Sequence, residues 1–353
     1  MTTRSESLVR DTPVASWPVR RRRVAARSGG LLVGAGLILF VGLVSVAVGA
    51  KPIPLDVVWH AIFGYDGSYD ANVIWDQRMP RTLLGLAVGA ALGASGALMQ
   101  ALTRNPLADP GVLGVNAGAS VGVVASVLLF GLTQLAQYAW FAFAGAAIAG
   151  VVVYLLGSTG RGGPTPVRLA LAGTVVGAVL TGIITAITTT NAQSWQLMRF
   201  WTIGSLVNRN AEVLVQVVPF LAIGAVIAFS ITGALNALAL GDQVGRALGA
   251  RVGRTRLLAG VAIVLLCGGA TAAAGPIGFV GLAVPHAVRA IVGPDYRWVV
   301  PYSLVAAPLL VLGSDILGRV VLPSGELEVG VVTAVVGAPV FIYLVRRRRV
   351  AAL

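Results

Sequence analysis

The chain runs to 353 residues, 57% of them hydrophobic and only 11% charged, with a formal net charge of +13. Soluble proteins carry about 25% charged residues, so this composition excludes a soluble globular protein and points to a polytopic membrane protein. The positive charge sits on arginines at the ends of apolar runs, which removes nucleic acid as its explanation, and a single cysteine, Cys267, rules out a disulfide framework or a thiolate metal site.

A membrane span takes about 20 apolar residues, and the pattern predicts an all-α protein of ten spans forming one domain over 28–349. Residues 1–27 read as a disordered basic cytoplasmic tail that holds Arg20–Arg23 and Arg27. The apolar run from Gly29 to Ala50 is longer than the roughly 7–15 residues of a signal-peptide core and is expected to stay as the first span. An external segment, 51–77, opens with Pro52 and Pro54. It then sets Leu55, Val58, Trp59, Ile62 and Phe63 at helical spacing, as in a short helix lying at the interface.

The remaining spans are expected near 80–102, 112–131, 139–157, 168–190, 212–233, 256–275, 277–292, 299–320 and 328–345. The seventh and eighth are separated only by Ala274-Gly275-Pro276. Glycines four apart (Gly85, Gly89 and Gly93; Gly118 and Gly122; Gly173 and Gly177) predict close helix packing, because lipid supplies no hydrophobic drive between helices. Between the second and third spans lies TRNPLADPGVLG, 103–114, in which Pro106 and Pro110 demand non-helical backbone. The cytoplasmic segment 235–256 is too polar to span and reads as two short helices broken at a glycine. Residues 350–353 are a C-terminal tail.

With the N-terminus inside, 20 basic residues fall in cytoplasmic segments and 6 in external ones. That asymmetry obeys the positive-inside rule and puts both termini in the cytoplasm. The spans hold almost no ionisable residue, whereas ion-coupled transporters carry them in mid-membrane. Asp315 and Arg319, four apart near the outer end of the ninth span, suit a local pair. No Walker loop, HExxH or paired-carboxylate arrangement occurs, so the chain is not expected to be an enzyme or to bind a cofactor or metal.

RMPRTLLGLAVGAALGASGALMQALTRNPLADPGVLGVNAGAS (78–120) resembles the most characteristic region of the FecCD family of ABC importer permeases. Further stretches match it in order: RFWTIGSL (199–206), LNALALGDQVGRALG (235–249), GPIGFVGLAVPHAVRAIVGPDYR (275–297), SDILGRV (314–320) and GVVTAVVGAPVFIYLV (330–345). The resemblance implies ten helices in the bacterial cytoplasmic membrane and a second permease subunit, the same chain or a paralogue. It also implies two ATP-binding subunits that carry ATP and magnesium, an external substrate-binding protein, and a ferric siderophore as cargo. Cobalamin or haem is the alternative cargo; an ion-coupled transporter and a membrane scaffold are the rivals of another class.

By the same resemblance Arg78, Arg81 and Arg319 receive acidic side chains of the binding protein, a task that suits the planar guanidinium fork. Asn236, Leu240, Gly241, Asp242, Arg246, Leu248 and Gly249 belong to coupling helices seated on the ATPase. Gly241 and Gly249 are expected at the turns, and Asp242 and Arg246 are spaced to pair along one helix face. Asn105 and Leu107 are placed at a cytoplasmic gate, facing Pro166 and Val167. His286, Arg289, Asp295 and Arg297 are assigned to the cytoplasmic surface in structural roles. One departure stands out: the family's Glu-x-Pro-x-Gly before the last span is here Glu326-Leu327-Glu328-Val329-Gly330, with an acid that the helix N-terminus also favours.

Overall fold

The computed structural model describes residues 17–49, 51–159, 165–322 and 325–347. The described residues form helices and no strand, as lipid demands of a chain that does not close a barrel. Fourteen helices are numbered in chain order: α1 (Trp17–Ala47), α2 (Leu55–Phe63), α3 (Tyr69–Thr103), α4 (Val115–Phe130), α5 (Leu135–Ser158), α6 (Pro166–Thr190), α7 (Ala192–Trp201), α8 (Ala211–Ser230), α9 (Thr232–Ala239), α10 (Asp242–Ala247), α11 (Val252–Ala274), α12 (Val280–Val292), α13 (Tyr296–Val320) and α14 (Val329–Arg347). Seven are long and apolar enough to cross a membrane, and α4, α12 and α14 are shorter apolar helices. Together they account for the ten expected spans.

Helix α1 begins at Trp17, so the backbone of Arg20–Arg23 is helical rather than part of a tail. Arginine has high helix propensity, and nothing in WPVRRRRVAARS breaks a helix once Pro18 sits in its first turn. Residues 1–16, Arg161 and the 350–353 tail lie outside the described residues. Helix α7 was not expected. Asn191 caps it by accepting from Ser194 N at 2.7 Å, and Ser194, Met198 and Trp201 bury one face.

Helix α3 forms the centre of the bundle and is buried along most of its length. Its glycine row is where neighbouring backbones touch: a Cβ on Gly89 would lie 2.7 Å from Pro308 Cα, and one on Gly93 or Gly96 would overlap the carbonyl of Ser303 or Gly281. Gly118 and Gly122 do the same for α4 against α5, at Gly145 and Phe141. The third pair differs. Gly173 is buried, but a Cβ on Gly177 would meet nothing within 4 Å.

Two of the short helices are short because the chain enters the bundle without helix. Between α11 and α12 the turn is Gly275–Phe279, where Gly275 and Phe279 both take positive φ. Gly275 is pressed against the Trp201 carbonyl, and Ser205 N donates to Ala274 O at 2.7 Å. Below the turn, Pro285 removes the amide that would serve the carbonyl of Gly281. Gln100 of α3 replaces it, its Nε2 donating to Gly281 O at 3.4 Å and Leu282 O at 3.1 Å.

Candidate functional site

By the charge rule the arginine-rich end of the bundle is expected to be the inner end. There α9 and α10 are joined through Gly241, at φ +106°, and α10 is followed by Gly249, at φ +85°. Both glycines sit at turns that a Cβ would strain, as expected from sequence. Leu240, Val244 and Leu248 are 63%, 46% and 63% exposed. Val244 and Leu248, four residues apart on one turn of α10 and its C-cap, make an apolar ridge, and Leu240 is exposed just before the Gly241 turn, on a segment too polar to lie in lipid. Arg246 and Gly249 are exposed beside it.

Asp242 does not pair with Arg246. As the first residue of α10 it turns back toward the bundle and accepts from two other arginines. Arg256 Nη2 of α11 reaches its carboxylate oxygens at 3.0 and 2.8 Å, and Arg104 Nη2 forms a second ion pair with it. Two fixed cations out-compete one exposed neighbour on a six-residue helix. Burial raises the pKa of Asp242, but the hydrogen bond from Arg104 and the charges of Arg256 and Arg104 outweigh it and hold the carboxyl below its ordinary value.

Asn236 is committed elsewhere. Its Nδ2 donates to Asp295 Oδ1 at 2.5 Å and its Oδ1 accepts from Tyr296 N at 2.8 Å, tying α9 to the start of α13. Asp295 also caps α13 by accepting from Arg297 N at 3.0 Å. Arg289 donates to the Tyr296 hydroxyl at 2.9 Å, and His286 packs edge-on to Phe341 with ring centroids 6.1 Å apart. The Arg289–Tyr296 and His286–Phe341 contacts join α12 to α13 and to α14 near their inner ends.

Arg104 opens the TRNPLADPGVLG loop. It caps α3 in the left-handed conformation, φ +50°. Asn105 then accepts from Leu107 N at 2.9 Å in a side-chain-closed turn, leaving both residues exposed. Asp109 repeats the device on Gly111 N at 2.8 Å and starts a single 3-10 turn, Pro110–Leu113.

The loop climbs as it goes. Pro110 Cδ would lie 3.0 Å from a Cβ on Gly281, and Asn116 accepts from Thr271 Oγ1 at 3.0 Å. Thr271 lies about 22 Å along α11 from Arg256 at an α-helical rise. The loop is therefore re-entrant, starting at the inner surface and delivering α4 deep in the bundle. Non-helical backbone is tolerated there because protein surrounds it.

Pro166 and Val167 form the first turn of α6, capped by Thr165 on Arg168 N at 3.4 Å, with Val167 exposed. The loop meets α6 through Gly114, whose added Cβ would lie 3.8 Å from Gly173 O, two turns beyond Pro166. The structure thus brings the far half of the loop against α6, while Asn105 and Leu107 face solvent.

At the outer end Arg78, Arg81 and Arg319 line one cleft of about 630 Å³ with Lys51, Arg209 and Glu326. All three guanidiniums have acceptors within the chain. Arg78 donates to Val46 O, Ala47 O and Lys51 O at 3.0, 2.6 and 2.5 Å. Arg319 donates to Ser45 O and Val48 O at 2.6 and 2.8 Å and pairs with Asp315. Apart from Lys51 O, these are the carbonyls that a helix end leaves without partners, so two arginines cap α1. Arg81 holds Asp315 through Nε at 3.1 Å and Nη2 at 2.7 Å, and Glu326 through Nη1 at 2.7 Å. An acid arriving from outside would meet guanidiniums that already carry these partners.

Helix entry at Glu328 is preserved: its carbonyl accepts from Val331 N at 3.0 Å and Val332 N at 3.3 Å. Sequence reasoning missed Arg104 and Arg256, since their partner is set by the folding back of α10. The acid–base inventory of 103–114 and 235–256 was the available signal.

Comparison with known proteins agrees with this architecture. The FecCD transport family model matches residues 37–347. The ferric enterobactin transport system permease protein FepD of Escherichia coli is 49% identical over 320 residues, 90% of this chain and 94% of the relative. The Fe(3+)-citrate import system permease protein YfmD of Bacillus subtilis is 40% identical, covering 93% of this chain and 98% of its own. A solved structure described as an inward-facing conformation of a putative metal-chelate type ABC transporter superposes with a TM-score of 0.79 at 25% identity, over 91% of this chain and all of that one. A family match across nearly every described helix, with relatives this similar at full length, has one meaning: the chain belongs to the FecCD transport family.

Proposed function

We propose that the chain is the permease subunit of an ATP-driven importer of ferric siderophores in a bacterial cytoplasmic membrane, with both termini cytoplasmic. The observation that carries this reading is the exposed ridge of Val244 and Leu248, with Leu240 exposed before the turn that leads into it, apolar side chains on a segment too polar for lipid to bury. A pair of ATP-binding subunits covers such ridges and supplies the energy, since this chain contributes no hydrolytic site; ATP and magnesium belong to those partners. The relatives' ferric cargoes favour an iron chelate over cobalamin or haem.

A second permease subunit completes the path. Helix α6 is the surface it fits: only Leu169 and Gly173 are buried among its described residues, and it presents Gly177, Gly182 and a run of threonines. Small residues allow close approach, and the threonine hydroxyls, already bonded one turn back as in Thr181 to Gly177 O at 2.8 Å, add little polarity. An external binding protein docks over the outer cleft, its acids exchanging with Glu326 on Arg81.

Uptake of radiolabelled iron, presented on a siderophore panel to a strain lacking the chain, tests the reading. The expected result is chain-dependent uptake of at least one ferric siderophore, abolished by an ATPase-site mutation in the partner and insensitive to uncouplers. Uptake that collapses with the proton gradient alone, or cobalamin uptake without iron uptake, overturns it.

A further inference from the structure

Arg104 and Asp242 come from segments far apart in the chain, and each adjoins a group of residues with a proposed moving role. Asp242 starts α10, between exposed Leu240 and exposed Val244 on the coupling ridge. Arg104 is the residue before Asn105, at the point where α3 stops and the re-entrant loop begins. Their side chains form an ion pair, and Arg256, itself buried, holds the other side of the same carboxylate.

The backbone at Arg104 adds to this. It is one of three non-glycine residues at positive φ among the described residues, with Asn208 and Phe279. Side chains disfavour that conformation, and a glycine would fill the C-cap with less strain. The arginine kept there is the one that reaches α10. Gly241 on one side and Gly249 on the other give α10 freedom to pivot, while Asn236 fixes the preceding α9 to Asp295 and Tyr296.

We infer that Arg104 is a positioning residue that couples the ATPase-facing helix α10 to the inner loop: a displacement of α10 pulls Asp242, and through it the turn that carries Asn105 and Leu107. Arg256 keeps the carboxylate oriented toward α3 and charged. This rests on the reading of the chain as an ATP-driven permease, and it names the side chain through which the drive reaches the loop.

The test uses the whole importer, with its ATP-binding subunits and binding protein, in proteoliposomes. Imported ferric siderophore and hydrolysed ATP are counted together. Arg104→Gln should lower uptake per ATP about tenfold with ATP hydrolysis within twofold of wild type, and Arg104→Lys should restore at least half of the ratio. Arg104→Gly, which relaxes the turn and removes the guanidinium, should behave as Arg104→Gln does; it also decides the matter if the glutamine variant fails to reach the membrane.

A second readout needs no cargo. Spin labels at Leu107 and Leu248 should change separation with nucleotide in the wild type and stop doing so in Arg104→Gln. An unchanged uptake-to-ATP ratio together with nucleotide-dependent label motion in Arg104→Gln overturns the inference. So does loss of uptake and hydrolysis in strict proportion to protein level. A wild-type complex that moves its labels but imports no ferric siderophore instead refutes the cargo reading.

Discussion

Arg81 and Asp315 face each other across the α3–α13 contact, with the carboxylate fully buried and the guanidinium bound to it through two nitrogens. Arg319 shares the same carboxylate from one turn further along α13. Removing Asp315 would leave the buried Arg319 and the part-buried Arg81 without their shared acid. Asp315→Ala should therefore cost about 3–5 kcal/mol, the usual penalty for breaking a buried pair from one side. Glu326→Ala, at the wetter end of the same network, should cost less than about 1 kcal/mol. Thermal unfolding of the detergent-solubilised complex distinguishes the two, and equal effects would contradict the network as described.

Gln100 substitutes for a backbone amide that Pro285 cannot supply. Gln100→Leu should destabilise the bundle by about 1–3 kcal/mol, since a buried carbonyl is left without a donor. Pro285→Ala restores the amide, so the double variant should recover part of that loss. Failure of the second change to recover any stability in an unfolding titration would show that Gln100 acts through packing alone.

The Asp242 carboxyl is held below its ordinary value by Arg104 and Arg256, so its contribution has a definite sign. It is present above the unfolded carboxylate pKa of about 3.9 and fades as pH falls through the still lower folded value. The stability difference between wild type and Asp242→Asn should be constant from about pH 8 to pH 5 and shrink only in stronger acid. A difference that disappears between pH 7 and pH 5 would point to a histidine and not to this carboxylate.

The family resemblance sets Asn105 and Leu107 opposite Pro166 and Val167 in a gate at the inner mouth. Cysteines in place of Asn105 and Pro166 should crosslink more readily in one nucleotide state than in the other, read on a denaturing gel of the whole importer. State-independent crosslinking would remove the gate from the proposal and leave the re-entrant loop as a fixed wall.

The spans were legible because hydrocarbon thickness and backbone hydrogen bonding leave few options: length and polarity alone locate α3, α5, α6, α8, α11 and α13. The glycine rows at Gly89 and Gly118 were legible for the same reason, whereas Gly177 shows that a spacing rule does not name the partner. Side-chain partners were the harder part. Asp242 and Arg246 obeyed the helix spacing for a pair, but α10 is short and turned, and a buried arginine from α11 and the C-cap of α3 reached the acid first. Likewise the internal acceptors of Arg78 and Arg319 were not legible, because a sequence does not display the unfilled carbonyls at the end of α1. The prolines of 103–114 mark non-helical backbone, but the depth the loop reaches follows from Pro110 meeting Gly281 and Asn116 meeting Thr271.

The capping of α1 by Arg78 and Arg319 has a consequence for how the protein is made. Ribosomal synthesis delivers α1 well before α13, with its terminal carbonyls open. Arg78 arrives soon afterwards and serves Val46 and Ala47, but the donor for Ser45 and Val48 is Arg319, near the end of the chain. At the other end, Tyr302 supplies the hydroxyl that meets Arg27 O at 2.6 Å. Helix α1 is thus fully fastened only once α13 has been made, and an insertion intermediate truncated before α13 would hold α1 through α2 and the outer part of α3, where Ser45 meets Thr82 at 2.8 Å.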